Sequence, residues 1–422
     1  MYKKSTLKNG VQIVTERLES RSVSVGICVE VGSRDEGAEN NGYAHFVEHM
    51  MYKGTARRTP LEIGKELDVL GGMSNGYTTR EGTCFYATVL ADKLPELLDI
   101  FSDIILHSIF SPEEVVRERD VVLQEISMVD DTPDDLIHDL FEGALWGDHS
   151  LGQTVLGRRE VIEKVDSPGI RQFVKEHYTG DRFVIAAAGQ VDHDSFVAAV
   201  DKAFSLVSQH SKNTLERTAP VLLPSRRNIL HKPLEQQHVV VGTYGLQADA
   251  EERYALILLN TVFGGNMSSR LFQEIREKRG LAYSVYSFVS SYVDSGHVGI
   301  YLGVDPASTE SALAVIAREI DKLRTQPVTP EELANAKDYA RASMLLASDN
   351  MESRMMRLAR NESCLHRFVD LEEVTDAITR VSDAEILELA GRLFGKRHLS
   401  AAAIGPLDSG ALDKILHQMI ED

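Results

Sequence analysis

The sequence predicts an α+β protein made of two homologous halves, each a mostly antiparallel sheet with helices packed on one face. Three observations lead there. A chain of 422 residues is too long for one hydrophobic core and divides into domains. Its first half runs through a hairpin, a long strand, two amphipathic helices, a pair of strands and then further helices, which suits an antiparallel sheet with a helical layer. From His238 the pattern begins again: Tyr43–Gly54 aligns without a gap on Tyr254–Gly265, Ser111–Glu125 aligns on Thr329–Ser343, and Arg182–Ala188 is echoed by Arg397–Ala403. The polar stretch Ser208–Asn213, followed by Pro220 and Pro224, reads as a linker at 208–230 between a first domain at 1–207 and a second at 231–422.

In chain order, Thr6–Leu18 holds two short strands turned about Asn9-Gly10, a dipeptide suited to a tight hairpin. Ser22–Val31 alternates around Val23, Val25, Ile27 and Val29, giving a longer strand. The loop Gly32–Asn41 leads into a helix at Tyr43–Tyr52, and Pro60–Leu70 forms a second amphipathic helix ended by Gly71-Gly72. Asn75–Thr79 and Thr83–Leu90 pair as strands. Helices follow at Leu94–Leu106, 112–128, 133–146 and 168–177. A strand at Phe183–Ala188 and a helix at 193–206 close the half.

The helix at Tyr43–Tyr52 carries the chemistry. His45 and His49 are four apart and Glu48 is three after His45, so the three share one face, while Ala44, Phe46, Val47, Met50 and Met51 are apolar. Two imidazoles and a carboxylate on a buried helix cost free energy unless something satisfies them, and a metal ion does so. The pattern H-x-x-E-H is the reversed form of the zinc-protease helix motif. Catalytic zinc takes two neutral imidazoles and a third protein ligand and keeps a position for water. Glu48 beside that water can take its proton. The plainer alternative is a pair of buried, hydrogen-bonded histidines.

A third ligand is available from the helix at 112–128, which opens with Ser111 as N-cap, Pro112 at the first helical position and Glu113 and Glu114 in the first turn. Glu118 and Glu125 are two turns apart and lie on the apolar stripe of Val115, Val122 and Ile126, not opposite it. One can bind the metal while the other orients a ligand from behind.

His45-x-x-Glu48-His49 followed by Glu125 resembles the pitrilysin-type inverzincins, the family of insulin-degrading enzyme and the mitochondrial processing peptidase. The likeness continues through Gly71–Tyr86, similar to that family's substrate-strand segment, and through Ser268–Tyr286 in the second half. It implies one Zn2+ per chain held by His45, His49 and Glu125, with Glu48 as general base and Glu118 as a supporting acid. Arg276 and Tyr283 are implied as groups reaching the bound peptide, where a guanidinium and a phenol can donate to a developing oxyanion. Glu274 or Glu277 could instead engage Arg276. Asn75 and Gly76 become contact points if their strand lies at an edge and takes the substrate as an added strand. Gly76 stands where relatives often have alanine.

The activity implied is that of a zinc-dependent endopeptidase hydrolysing unstructured peptides inside a closed chamber. The alternatives are a non-catalytic structural subunit and a peptide-binding or metal-buffering protein of the same fold. The chain is half the length of the family's single-chain clamshell members, so the resemblance implies association of two chains. A homodimer is favoured over a heterodimer with a related chain, because the metal set is complete.

The repeat supplies an internal control. In the second copy His45, Glu48 and His49 become Leu256, Leu259 and Asn260, while Glu118 and Glu125 become Ala336 and Ser343. Residues needed for folding would recur there, and none does. The net charge of −19 argues against nucleic-acid binding, which needs a basic patch, and a negative interior would attract basic peptides. No signal core, presequence or 18-residue apolar run is present, so no membrane span and a cytoplasmic location are expected. Cys28, Cys84 and Cys364 are far apart with no CxxC pair, which predicts buried reduced thiols and a reducing compartment. Cys364-x-His366 carries little weight as a metal pair.

Overall fold

The computed structural model describes residues 1–209, 217–395 and 398–421, so much of the polar linker stretch and the start of the echo at Arg397 lie outside the described residues. The chain forms two compact units. The first contains β1 (Tyr2–Thr6), β2 (Gln12–Arg17), β3 (Ser22–Val29), β4 (Met73–Thr78), β5 (Thr83–Leu90) and β6 (Phe183–Gly189). Their order across the sheet is β1-β2-β6-β3-β5-β4, antiparallel throughout except for β2 against β6. The hairpin turn at Asn9-Gly10 is present. Gly10 has φ +95°, and a Cβ there would press on the Asp181 backbone.

On one face of this sheet lie α1 (Tyr43–Met51), α2 (Pro60–Val69), α3 (Leu94–His107) and α4 (Pro112–Asp131), with the helix Ser167–His177. Val23, Val25, Ile27 and Val29 of the central strand point into that layer and are buried with Phe46, Val47, Phe85 and Phe101. Each such side chain stabilises the fold by roughly 1.5–3 kcal/mol through removal from water. The opposite face is covered as well. There the helix Met351–Leu365 sets Met355, Leu358 and Ala359 on Val14, Val184, Ala186 and Ala188. Gly26 allows this approach, since a Cβ at that position would overlap the Met355 side chain.

The covering helix comes from the second half of the sequence, and a first-half helix makes the reverse move. α5 (Pro133–Trp146) packs Ile137, Phe141, Leu145 and Trp146 against Val240, Tyr301, Ala402 and Ile404 of the other sheet. The compact units are therefore 1–128 with 153–217 and 346–368, and 129–152 with 218–345 and 369–422, not the contiguous 1–207 and 231–422 expected from the repeat. An apolar stripe says that a helix is buried but not which sheet buries it.

The second unit contains β7 (Arg227–His231), β8 (Gln237–Tyr244), β9 (Ala282–Ser291), β10 (Gly296–Val304) and β11 (Ser400–Gly405) in the order β7-β11-β8-β10-β9. Only β7 against β11 is parallel. The reduced-thiol expectation is corrected for two cysteines. Cys28 and Cys84 face each other across β3 and β5 with Cα atoms 4.1 Å apart and are joined as a disulfide, while Cys364 is free. The ground for a reducing compartment goes with it. Among the described residues no helix is long and apolar enough to cross a membrane.

Candidate metal centre

α1 starts at Gly42, in the left-handed region at φ +98°, where the residue has no side chain with which to cap the helix. Glu36 from the preceding loop takes that role. Its Oε1 accepts from the Ala44 N–H at 2.6 Å, and its Oε2 accepts from the Gly42 N–H at 2.7 Å and from Asn41 Nδ2 at 3.1 Å. These satisfy amides that a helix start otherwise leaves without partners. Burial pushes the Glu36 carboxyl up to about 8, against the pull of those three donors.

From the helix so fixed, His45 and His49 project toward α4 with their Nε2 atoms 3.2 Å apart. Glu125 Oε2 lies 3.7 Å from Nε2 of His45 and 3.5 Å from Nε2 of His49. A tetrahedral ion with ligand bonds of about 2.0–2.1 Å spaces its donors about 3.3–3.4 Å apart, so the three atoms fit zinc coordination as they stand. Among the described residues this is the cluster of histidine, cysteine or acidic side chains close enough to hold an ion. Burial, with His49 beside it, lowers the His45 pKa to about 3, which keeps the imidazole neutral with one nitrogen lone pair free to bind an ion. His45 Nδ1 is buried without a hydrogen-bond partner among the described residues.

Glu118 stands behind His49. The His49 Nδ1–H donates to Glu118 Oε1 at 2.8 Å, which turns the Nε2 lone pair toward the site. Lys53 Nζ reaches Glu118 Oε2 at 2.7 Å. Burial disfavours the Glu118 charge, but the hydrogen bonds from His49 and Lys53 outweigh it and hold the carboxyl below its ordinary value. Three carboxylates (Glu48, Glu118 and Glu125) thus converge with one ammonium, an excess of negative charge that a divalent cation would balance.

Glu48 leans away from the donor cluster toward β4. Its Oε2 accepts from Thr78 Oγ1 at 2.6 Å. A Cβ built on Gly76 would sit 3.0 Å from Glu48 Oε1, so the glycine is what lets the strand run this close. Burial raises the Glu48 pKa, with Thr78 and His49 opposing. β4 is the last strand of its sheet and, among the described residues, pairs with β5 alone, and Asn75 on it is exposed.

Arg276 and Tyr283 belong to the second unit. The guanidinium lies 5.0 Å above the Tyr283 ring and 4.9 Å above that of Phe272, and Tyr283 is exposed. Glu274 engages Lys278 and Arg279, so it does not take Arg276 in an ion pair. The second-copy positions behave as the repeat comparison requires. Leu256, Leu259 and Ala336 are buried in core, and Asn260 accepts from Ser287 Oγ at 2.7 Å. Sequence reasoning missed Glu36, Lys53 and Thr78. Lys53 lies four residues after His49, just past the end of α1, and Thr78 shares a strand face with Gly76, so spacing pointed to both. Glu36 left no such sign.

Residues 12–159 match the family model described as "Insulinase (Peptidase family M16)", and residues 164–339 match "Peptidase M16 inactive domain". The chain is 39% identical over 408 residues to "Uncharacterized zinc protease YmxG" of Bacillus subtilis, covering 96% of this chain and 98% of that one. It is 37% identical over 412 residues to an "Uncharacterized zinc protease" of Streptomyces coelicolor, covering 96% and 90%. Among solved structures, a protease from Helicobacter pylori superposes with a TM-score of 0.91 at 21% identity, over 96% of this chain and 99% of that one. The "peptidase M16 inactive domain" from Pseudomonas fluorescens does so with a TM-score of 0.90 at 18% identity, over 96% and 98%. These two likenesses speak to the fold.

Proposed function

Since the chain belongs to the insulinase family of peptidases, M16, we propose that it is a zinc-dependent endopeptidase acting on unstructured peptides. The observation that carries the reading is the set of three donor atoms, from two helices, spaced 3.2–3.7 Å apart beside Glu48. Zinc held by His45, His49 and Glu125 would supply a Lewis acid that polarises both water and the scissile carbonyl. Glu48 takes the proton of the attacking water and passes it to the leaving amine. Thr78 holds the Glu48 carboxylate in place for this, and Glu118 holds His49.

Substrate adds to the free edge of β4 as an extra strand, with Asn75 and Gly76 at the contact and main-chain hydrogen bonds giving affinity with little sequence preference. Arg276 and Tyr283 are assigned to the substrate chain, donating to it and to the developing oxyanion. The reading extends to two copies of this chain enclosing the peptide in a chamber as a homodimer. The purified zinc-loaded protein should hydrolyse a quenched unstructured peptide and lose that activity to a chelator. Glu48→Gln should keep one zinc per chain and lose about 10²–10⁴-fold in rate. Full activity in a zinc-bearing Gln variant would remove Glu48 from the role of base.

A further inference from the structure

The loop that carries Glu36 is fastened at two places. On one side the Glu36 carboxyl holds the amides of Gly42 and Ala44, the latter next to His45, and it is buried at 5% exposure. On the other side the loop is stitched to the turn between β4 and β5. The Ser33 N–H donates to the Thr79 carbonyl at 3.2 Å and the Arg34 N–H to the Arg80 carbonyl at 2.8 Å, while the Arg34 guanidinium reaches Glu81 Oε1 at 2.6 Å. Gly32 makes this contact possible, because a Cβ there would overlap the Thr79 carbonyl. Asp35 adds a two-pronged ion pair to Arg217, at 2.8 and 2.7 Å, and Arg217 also donates to the Glu81 carbonyl. The strand whose turn is held in this way is the one whose Thr78 and Gly76 touch Glu48.

We propose that Glu36 is a positioning residue: a strut between the β4–β5 turn and the start of α1 that sets the axial height and rotation of the helix and so aligns His45, Glu48 and His49 with one another and with β4. Three features single it out. The helix has no capping side chain of its own, the Glu36 carboxyl holds two amides of the first turn at once, and the opposite end of its loop is tied to the substrate-side hairpin instead of to the helix layer. Asparagine 41 completes the brace. Asn41 Nδ2 donates both to Glu36 and to the Thr154 carbonyl, so the carboxyl cannot swing away.

The inference rests on the metallopeptidase reading, and its test separates the two. Glu36→Asp keeps the carboxyl but is one methylene too short to reach both amides. It should fold with helical content and melting temperature near those of the unaltered protein, yet bind zinc at least about ten-fold more weakly in a chelator competition. With cobalt(II) in place of zinc, its visible d–d bands should shift, reporting altered donor geometry. Peptide hydrolysis should lose about ten-fold or more in kcat with KM changed less than about two-fold, as when catalytic groups are misplaced and the binding strand is not. If Glu36→Asp does not fold, Glu36→Gln, which keeps the length, is measured in the same way. Zinc affinity within about two-fold and unchanged cobalt bands in a folded variant would overturn the strut. A wild-type chain that binds no zinc would instead sink the metallopeptidase reading.

Discussion

Replacing Glu118 by glutamine tests the support behind the site without touching any of its donors. Glu118 is buried at 4% exposure and makes two charge-assisted bonds, 2.8 Å from His49 Nδ1 and 2.7 Å from Lys53 Nζ. The Lys53 side chain is 30% exposed and can turn into water, so the loss falls on His49. A hydrogen bond to a charged partner contributes about 1.5–3 kcal/mol and a neutral one about 0.5–1.5 kcal/mol, so glutamine forfeits roughly 1–1.5 kcal/mol of His49 orientation and basicity. At about 1.4 kcal/mol per decade this is about a ten-fold loss of zinc affinity. Losses of 10–100-fold are the general experience when outer partners of a ligand are removed, as an order-of-magnitude guide. The assay is competition against a chromogenic chelator at fixed pH, with Lys53→Met as control, expected to cost no more than about two- to three-fold, as for an ion pair whose ammonium is partly exposed. A Glu118→Gln variant within about two-fold of wild type, or a Lys53→Met variant equally weakened, would refute the argument that the carboxylate acts through His49.

Other consequences are open to direct measurement. Gly76→Val adds branched atoms where even a Cβ would lie 3.0 Å from Glu48 Oε1, and it should lower kcat by about 10²-fold while zinc stays at one per chain. A variant with normal kcat would show that Glu48 tolerates displacement. Leu358→Ala, in the helix that covers the second face of the first sheet at 1% exposure, should cost about 2–5 kcal/mol in urea unfolding. Hydrogen exchange should then quicken in β6, and an unchanged β6 would mean that the helix is not part of that unit's core. Glu332 is bound in two places by Arg270, at 2.7 and 2.9 Å, and accepts from the Thr329 N–H at 2.8 Å; although burial opposes its charge, Arg270 and Thr329 together lower its carboxyl from the ordinary 4.5 to about 2. A carboxyl depressed in the folded state stabilises above its unfolded pKa, and that contribution is lost as pH falls from about 4.5 to about 2. Glu332→Gln should therefore be less stable at pH 7 and show a shallower acid decline across that window, and an unaltered slope would discard the pair.

Several features were fully legible along the chain because they depend on neighbours in sequence. The spacing of His45, Glu48 and His49 fixes their common face on α1 whatever surrounds it. The placement of Glu118 and Glu125 on the stripe of Val115 and Val122 foretold that α4 would turn them inward. The second copy, with Leu256 and Leu259 in core and Asn260 tied to Ser287, showed that the fold does not need the donors. The alternation of Val23, Val25, Ile27 and Val29 marked the strand at the heart of the first sheet.

What the order of residues did not contain was partnership across distance. Whether Met355 and Leu358 lie on β6, and Phe141 and Trp146 on the other sheet, depends on which apolar surfaces meet, and one buried stripe resembles another until they do. Cys28 and Cys84 became a pair only through the register of β3 on β5. Glu36 looked like one more loop acid. It acquired its place because α1 begins at a glycine that cannot cap it and the folded loop brings a carboxyl to those open amides. Local periodicity fixes which face of an element is chemical or apolar, whereas closure of the chain over tens of residues decides what that face meets.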